Sequence, residues 1–272
     1  MIPQDDRLTS TSWSSVEVRH SATECPFLVI CDHATNLLPG RYGALGLDPA
    51  QLERHIAYDI GARGLALELA RHLGATYVGS RFSRLLIDPN RGAHDPTLIM
   101  RISDGAVIPA NARIGQAETA LRLATFYDPY HTAISAELDR LVALGLTPII
   151  LSIHSYTDVW RGMAREWHCG ILWDRDPRLA RPLIEALRAP GLWKVGDNEP
   201  YSGRLKGDCL YRHGTLRGFP HALIEVRQDL IRDESGQSEW AGILAEAIDR
   251  VCAQPTAAKL SGVAFFGSHT DL

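Results

Sequence analysis

None of the short signatures that mark the commonest enzyme classes occurs in this chain of 272 residues. It has no HExxH pair, no GxSxG nucleophile elbow, no GxxxxGK[ST] phosphate loop and no GxGxxG dinucleotide fingerprint, and each of those chemistries depends on its spacing. Cysteine is scarce: Cys25, Cys31, Cys169, Cys209 and Cys252 form no CxxC pair and leave an odd one over. That excludes a disulfide scaffold and suits a reducing cytoplasm, with the thiols serving as small buried hydrophobes. No apolar run approaches the ~20 residues of a membrane span, and the first fifteen residues are polar and acidic rather than basic and then apolar as in a leader. Positive charge is in deficit too, with 28 Lys and Arg against 32 Asp and Glu and a net charge of −4. A general binder of nucleic acid or of a membrane surface is thereby disfavoured.

What is present is ordinary globular material, 45% hydrophobic and 22% charged, enough for a sizeable core. No linker interrupts the middle, so one domain is expected over residues 24–254, with residues 1–23 an arm or edge element and residues 255–272 a small polar tail that frays. Apolar runs suited to buried strands lie at Phe27 to Ile30, Thr76 to Val78, Leu85 to Ile87, Pro148 to Ile153, Cys169 to Trp173 and Ala222 to Val226. Helical periodicity lies between them: a Pro-initiated start at Asp48, a run through Leu65 and Leu73 ending at Gly74, runs after Gln116 and around Ile134 to Leu144, and Pro177 to Leu187 and Glu239 to Val251. Residues 92–113 lack a sustained period and read as a long loop. Strands alternating with helices predict a three-layer α/β/α sandwich around a mixed, largely parallel sheet.

Chemistry concentrates at strand ends, where open α/β sheets keep it. His33 closes one apolar run and His154 another, and Glu225 and Arg227, two apart on a strand, share a face. Two imidazoles and a carboxylate are what a catalytic zinc needs, since such sites keep three protein ligands and one open position. His33 and His154 are the nitrogen donors, and Glu225 is the candidate proton acceptor. The third ligand is either Asn36, three residues after His33, or Asp59, with Asp59 preferred because carboxylates bind zinc better than amides. Plainer readings stand beside these: strand-end histidines that only hydrogen-bond, Glu225 ion-paired to Arg227 or Arg91, and Asp59 stabilised at a helix start. The remaining histidines, among them His55, His131, His168, His213 and His221, read as surface or packing residues.

The ordered set of motifs resembles the N-formylglutamate amidohydrolase family, related to the zinc carboxypeptidases and to aspartoacylase. The segments are Cys31-Asp32-His33-Ala34, Tyr58-Asp59-Ile60-Gly61-Ala62, Ser83 through Arg91, Tyr127-Asp128-Pro129-Tyr130-His131, Ile153-His154-Ser155-Tyr156, Asn198 through Gly203 and Ile224-Glu225-Val226-Arg227. The resemblance implies a carboxypeptidase-like (phosphorylase/hydrolase-like) fold, one zinc ion, and hydrolysis of a small acidic N-acyl amino acid, N-formyl-L-glutamate first. It implies His33 and His154 as metal ligands, Glu225 as the catalytic residue, and Asn90 with Arg91 as the holders of a substrate carboxylate, for which a guanidinium's planar fork is suited. Arg84 and Arg227 are candidates for a second carboxylate, and Tyr201 for a further hydrogen bond. One departure is that zinc carboxypeptidases place a glutamate ligand where this chain has Asn36. The alternatives are a carboxypeptidase or amidase acting on a peptide or cell-wall substrate, or a non-catalytic carboxylate binder on the same fold.

Overall fold

The apolar runs become the strands of a computed structural model that describes residues 13–271. In chain order the strands are β1 (Val16–Arg19), β2 (Phe27–Cys31), β3 (Thr76–Ser80), β4 (Ile102–Ser103), β5 (Ala106–Val107), β6 (Ile149–Tyr156), β7 (Val159–Trp160), β8 (Met163–Ala164), β9 (Cys169–Leu172), β10 (Val195–Asp197) and β11 (His221–Arg227). Seven of them form one sheet in the order β1-β3-β2-β6-β11-β9-β10, while β4 with β5 and β7 with β8 make two small hairpins. The central neighbours β3, β2, β6 and β11 run parallel. β1 runs antiparallel to β3 and β9 antiparallel to β11, and β10 runs parallel to β9.

Helices cover both faces. They are α1 (Pro49–Leu52), α2 (Ala62–Leu73), α3 (Gln116–Arg122), α4 (Asp128–Ala143), α5 (Pro177–Arg188), α6 (Cys209–His213) and α7 (Glu234–Cys252). On one side Leu65 and Leu69 of α2, Leu179 and Leu183 of α5 and Trp240 and Leu244 of α7 close over Val29, Ile153 and Ile224. On the other, Ile134 and Leu138 of α4 pack against Leu28, Ile30, Ile150 and Leu223. This is the expected three-layer sandwich. Strand alternation places Ser152, His154 and Tyr156 on the α4 side, opposite the face of Leu151 and Ile153. β6 is buried at every residue, as a central parallel strand covered on both faces should be.

Two local outcomes differ from the sequence-based expectation. Leu85 to Ile87 is a buried turn, not a strand: Leu86 N donates to Ser83 O, while the Leu85 and Leu86 carbonyls accept from the side chains of Asn111 and Arg122. Those side chains satisfy backbone groups that a sheet would otherwise have to pair. The chain after Pro255 does not fray. Leu260 is buried, Arg178 donates to the Gly262 and Ala264 carbonyls, and His269 pairs with Asp174. Val16–Arg19 is the edge strand beside β3, and residues 1–12 of the expected arm lie outside the described residues. No helix among the described residues is long and apolar enough to cross a membrane.

Candidate metal centre and substrate cavity

His33 lies two residues past the end of β2, and His154 lies on β6, which pairs with both β2 and β11. In the parallel register His154 stands opposite Glu225, so the sheet itself sets those two side chains next to one another. Asp59 comes from the segment before α2. Its backbone N–H donates to the His33 carbonyl (3.0 Å) and its own carbonyl accepts from Ala62 N (3.1 Å). Gly61 makes the entry to α2 possible: its φ is +79°, and a Cβ there would come 2.0 Å from the Ile231 carbonyl oxygen.

The ring nitrogens are divided between two tasks. Nδ1 of His33 and Nδ1 of His154 both face Asp59 Oδ2, at 3.3 and 2.8 Å, and the rings meet edge to face with centroids 4.9 Å apart. The other nitrogens are held from behind, His33 Nε2 by Asp88 Oδ1 at 2.8 Å and His154 Nε2 by Asp32 Oδ2 at 3.0 Å. Each supporting carboxylate is itself anchored. Asp88 accepts from Arg84 Nε and Nη2 and from Asn90 N, and Asp32 accepts from the Tyr130 and Ser152 hydroxyls. Metal-binding histidines commonly donate their second nitrogen to a carboxylate, which fixes the ring and the tautomer. Two nitrogens and one carboxylate oxygen are then left facing a common point. A zinc ion with ligands ~2.1 Å out separates neighbouring ligand atoms by about 3.4 Å, close to the separations here, so His33, Asp59 and His154 fit one such ion.

The electrostatics agree with that division. Burial alone would raise Asp59, Asp88 and Asp32, yet each is held below the usual carboxylate range. His33 and His154 do this for Asp59, Arg84 and His33 for Asp88, and His154 for Asp32. Glu225 goes the other way: burial, with the Asp59 charge, pushes it up to about 7 against the pull of His154. Its Oε2 is buried without a hydrogen-bond partner among the described residues. Five carboxyl groups at the site therefore take two roles, Asp32, Asp59 and Asp88 as fixed anions and Glu225 and Asp208, the latter also pushed up to about 7 by burial, as groups that exchange a proton near neutrality.

His33, Asp59, His154 and Glu225 line a cavity of about 460 Å³, together with Arg84, Asn90, Arg91, Tyr201 and Asp208. Among the cavity arginines, Arg84 is committed to Asp88 and Asp59, whereas Arg91 has no carboxylate at ion-pair distance among the described residues and donates only to the Asn90 carbonyl. Asn90 accepts from Cys209 N through Oδ1. Tyr201 accepts from Arg165, whose guanidinium also lies over the Tyr156 ring. Arg227 shares the Glu225 face but turns away from the cavity, toward Asp229 and the Arg165 carbonyl. Asn36 is also outside the cluster, its amide donating to the Leu52 carbonyl and to Glu53. Sequence reasoning missed Asp32, Asp88, Tyr130 and Arg165. The two aspartates could have been found, since one precedes His33 and the other closes an apolar run, and each histidine ligand needs an anion behind it.

The sequence profile of the N-formylglutamate amidohydrolase family matches residues 25–232. The chain belongs to that family. Among its relatives, an N-formylglutamate deformylase from Pseudomonas aeruginosa is 29% identical over 66% of this chain and 73% of the relative. One from Pseudomonas putida is 27% identical over 69% and 75%. Among solved structures, a gene product from Agrobacterium tumefaciens superposes with a TM-score of 0.85 at 34% identity, covering 89% of this chain and 96% of that one. An N-formylglutamate amidohydrolase from Ralstonia eutropha gives 0.68 at 20% identity over 88% and 97%, a likeness of fold. The matched span contains the two histidines, Asp59, the supporting carboxylates, Asn90, Arg91 and Glu225.

Proposed function

We propose that the chain is a zinc-dependent amidohydrolase that cleaves a small acidic N-acyl amino acid, N-formyl-L-glutamate first, to formate and L-glutamate. The observation that carries this reading is the convergence of His33 Nδ1, His154 Nδ1 and Asp59 Oδ2, each imidazole backed by a carboxylate, on a cavity that also holds an unpartnered Glu225. Family membership and relatives named N-formylglutamate deformylase support the substrate. Zinc held by His33, Asp59 and His154 would supply a Lewis acid and lower the pKa of water to near ~7.

The chain's own groups do the rest. Arg91 is the cavity guanidinium with capacity to spare, and it orients the substrate by a charge-assisted pair to a carboxylate, with the Asn90 amide beside it. Arg84 keeps Asp88 and Asp59 ionised, and so acts through the ligand set. Glu225, titrating near neutrality, takes a proton at Oε2 from the attacking water and returns it to the departing amine nitrogen, which a group with a pKa far from the working pH does poorly. Tyr201 with Arg165 borders the cavity where a second carboxylate of a dicarboxylic substrate would lie.

The test is release of formate and glutamate from N-formyl-L-glutamate by the purified chain, before and after chelation and again after zinc return. Release that chelation abolishes and zinc restores supports the reading. Glu225→Gln should then lose turnover while still binding N-formyl-L-glutamate. Metal retained without release would leave the hydrolase and remove this substrate, and no metal with no hydrolysis would remove the site.

A further inference from the structure

A second group of metal-type donors lies outside the cavity, on α4 and α6. Cys209 and His213 are the first and last residues of α6, four apart and so on one face of the helix. His131 reaches them from α4. One ligand atom from each of the three lies within 4.8 Å of the others, and His131 Nδ1 is 2.8 Å from His213 Nε2. All three are buried, and none lines the cavity. His131 Nδ1 and His213 Nε2 already meet one another, so a cation would take the place of that hydrogen bond, while His131 Nε2, on the other edge of the ring, has no partner among the described residues.

The chemistry of the set is specific. Burial pushes both imidazoles down, His131 to about 4 and His213 to about 2, and the neutral imidazole is the form that binds metal. Burial and the neighbouring Asp32 push the Cys209 thiol well above its ordinary range, so the thiolate would form only as the cation binds, and thiolate and carboxylate would then together balance a divalent charge. One sulfur and two nitrogens suit zinc and its chemical relatives rather than calcium or magnesium, which take oxygen ligands. We propose that His131, Cys209 and His213 supply three ligands of a second site for one zinc-type divalent cation, which ties α6 to α4. The site would also steady Asn90, whose side chain accepts from Cys209 N.

The wild-type full chain, stripped by chelation, is titrated with cobalt(II). The expected result is two equivalents bound, one of them accompanied by the intense near-ultraviolet sulfur-to-cobalt absorption that His33, Asp59 and His154 cannot produce. Cys209→Ser should remove that absorption and reduce binding to one equivalent. X-ray absorption of the zinc-loaded wild type should show a sulfur neighbour at ~2.3 Å, a readout that does not depend on the variant folding. A single equivalent without sulfur absorption in the wild type overturns the proposal, as does an absorption that survives in Cys209→Ser, since it would then belong to another thiol. Asp59→Asn separates the two sites: it should end hydrolysis while the sulfur absorption remains.

Discussion

Asp88→Asn exchanges one oxygen for an amide nitrogen, yet it should weaken both the fold and the ion. Asp88 is wholly buried, and both its oxygens only accept: Oδ1 from His33 Nε2 at 2.8 Å and Asn90 N at 2.9 Å, Oδ2 from Arg84 at 2.8 and 3.2 Å. An amide has one acceptor atom, so in either orientation its NH2 confronts a donor. With the oxygen toward His33, the part-buried guanidinium keeps only Asp59 at 3.4 Å. Removing one partner of a buried ion pair costs about 3–5 kcal/mol. With the oxygen toward Arg84, His33 loses the acceptor that fixes its tautomer, and loss of such support typically costs about 10–100-fold in metal affinity. The checks are the urea midpoint of the metal-free protein and the zinc dissociation constant by competition with a chromophoric chelator. A variant that keeps its midpoint and binds zinc within about twofold of wild type would refute the role of Asp88 as the group that holds His33 in its ligating form.

Glu225 sets a pH dependence of opposite sign to the three fixed aspartates. Its folded pKa of about 7 lies above its ordinary 4.5, so its share of stability is present below ~4.5 and is lost as pH rises through ~7, by about 3 kcal/mol at most. Metal-free Glu225→Gln should therefore gain on wild type between pH 5 and 8 in chemical denaturation, and an unchanged difference would refute a protonated Glu225. Asp32, Asp59 and Asp88, held low, keep their stabilisation above ~4 and lose it in acid. Arg91→Ala should raise KM for an acidic substrate by about 10- to 100-fold, the loss of one charge-assisted pair, and an unchanged KM would assign the carboxylate elsewhere. Gly61→Ala adds a Cβ 2.0 Å from the Ile231 carbonyl at a positive φ. Thermal unfolding should show a loss of about 1–3 kcal/mol.

The legible parts of this chain are those where one physical rule decides. Runs such as Pro148 to Ile153 can only be buried, so their polar successors had to stand at a sheet rim, and His33, His154 and Glu225 followed from that. Arg227 shows where periodicity stops informing: period 2 gives its face correctly, but its guanidinium extends past the rim and finds Asp229 instead. The spacing of Asn36 from His33 suggests a ligand, yet the intervening chain is a loop, and the amide ends against Leu52. The partners of the histidines were hidden for a different reason. Tyr130 meets Asp32 across 98 positions and His131 meets His213 across 82, and no local pattern encodes contacts of that range. Cys209 to His213 is a five-residue helix, too short to announce itself by periodicity.

The ligand atoms of the first site also come from distant parts of the chain, Asp59 lying 26 positions from His33 and 95 from His154. In a short finger-like domain a few neighbouring residues can capture zinc while the chain is still unfolded, and the ion then drives folding. Here β2, β6 and the entry to α2 must already be docked before the three atoms face one another. An ion held there would therefore be a late arrival on the finished sheet, and its free energy would appear as mass-action linkage to the native state. The unfolding midpoint should rise with free zinc, and the chelated chain should keep its β-sheet.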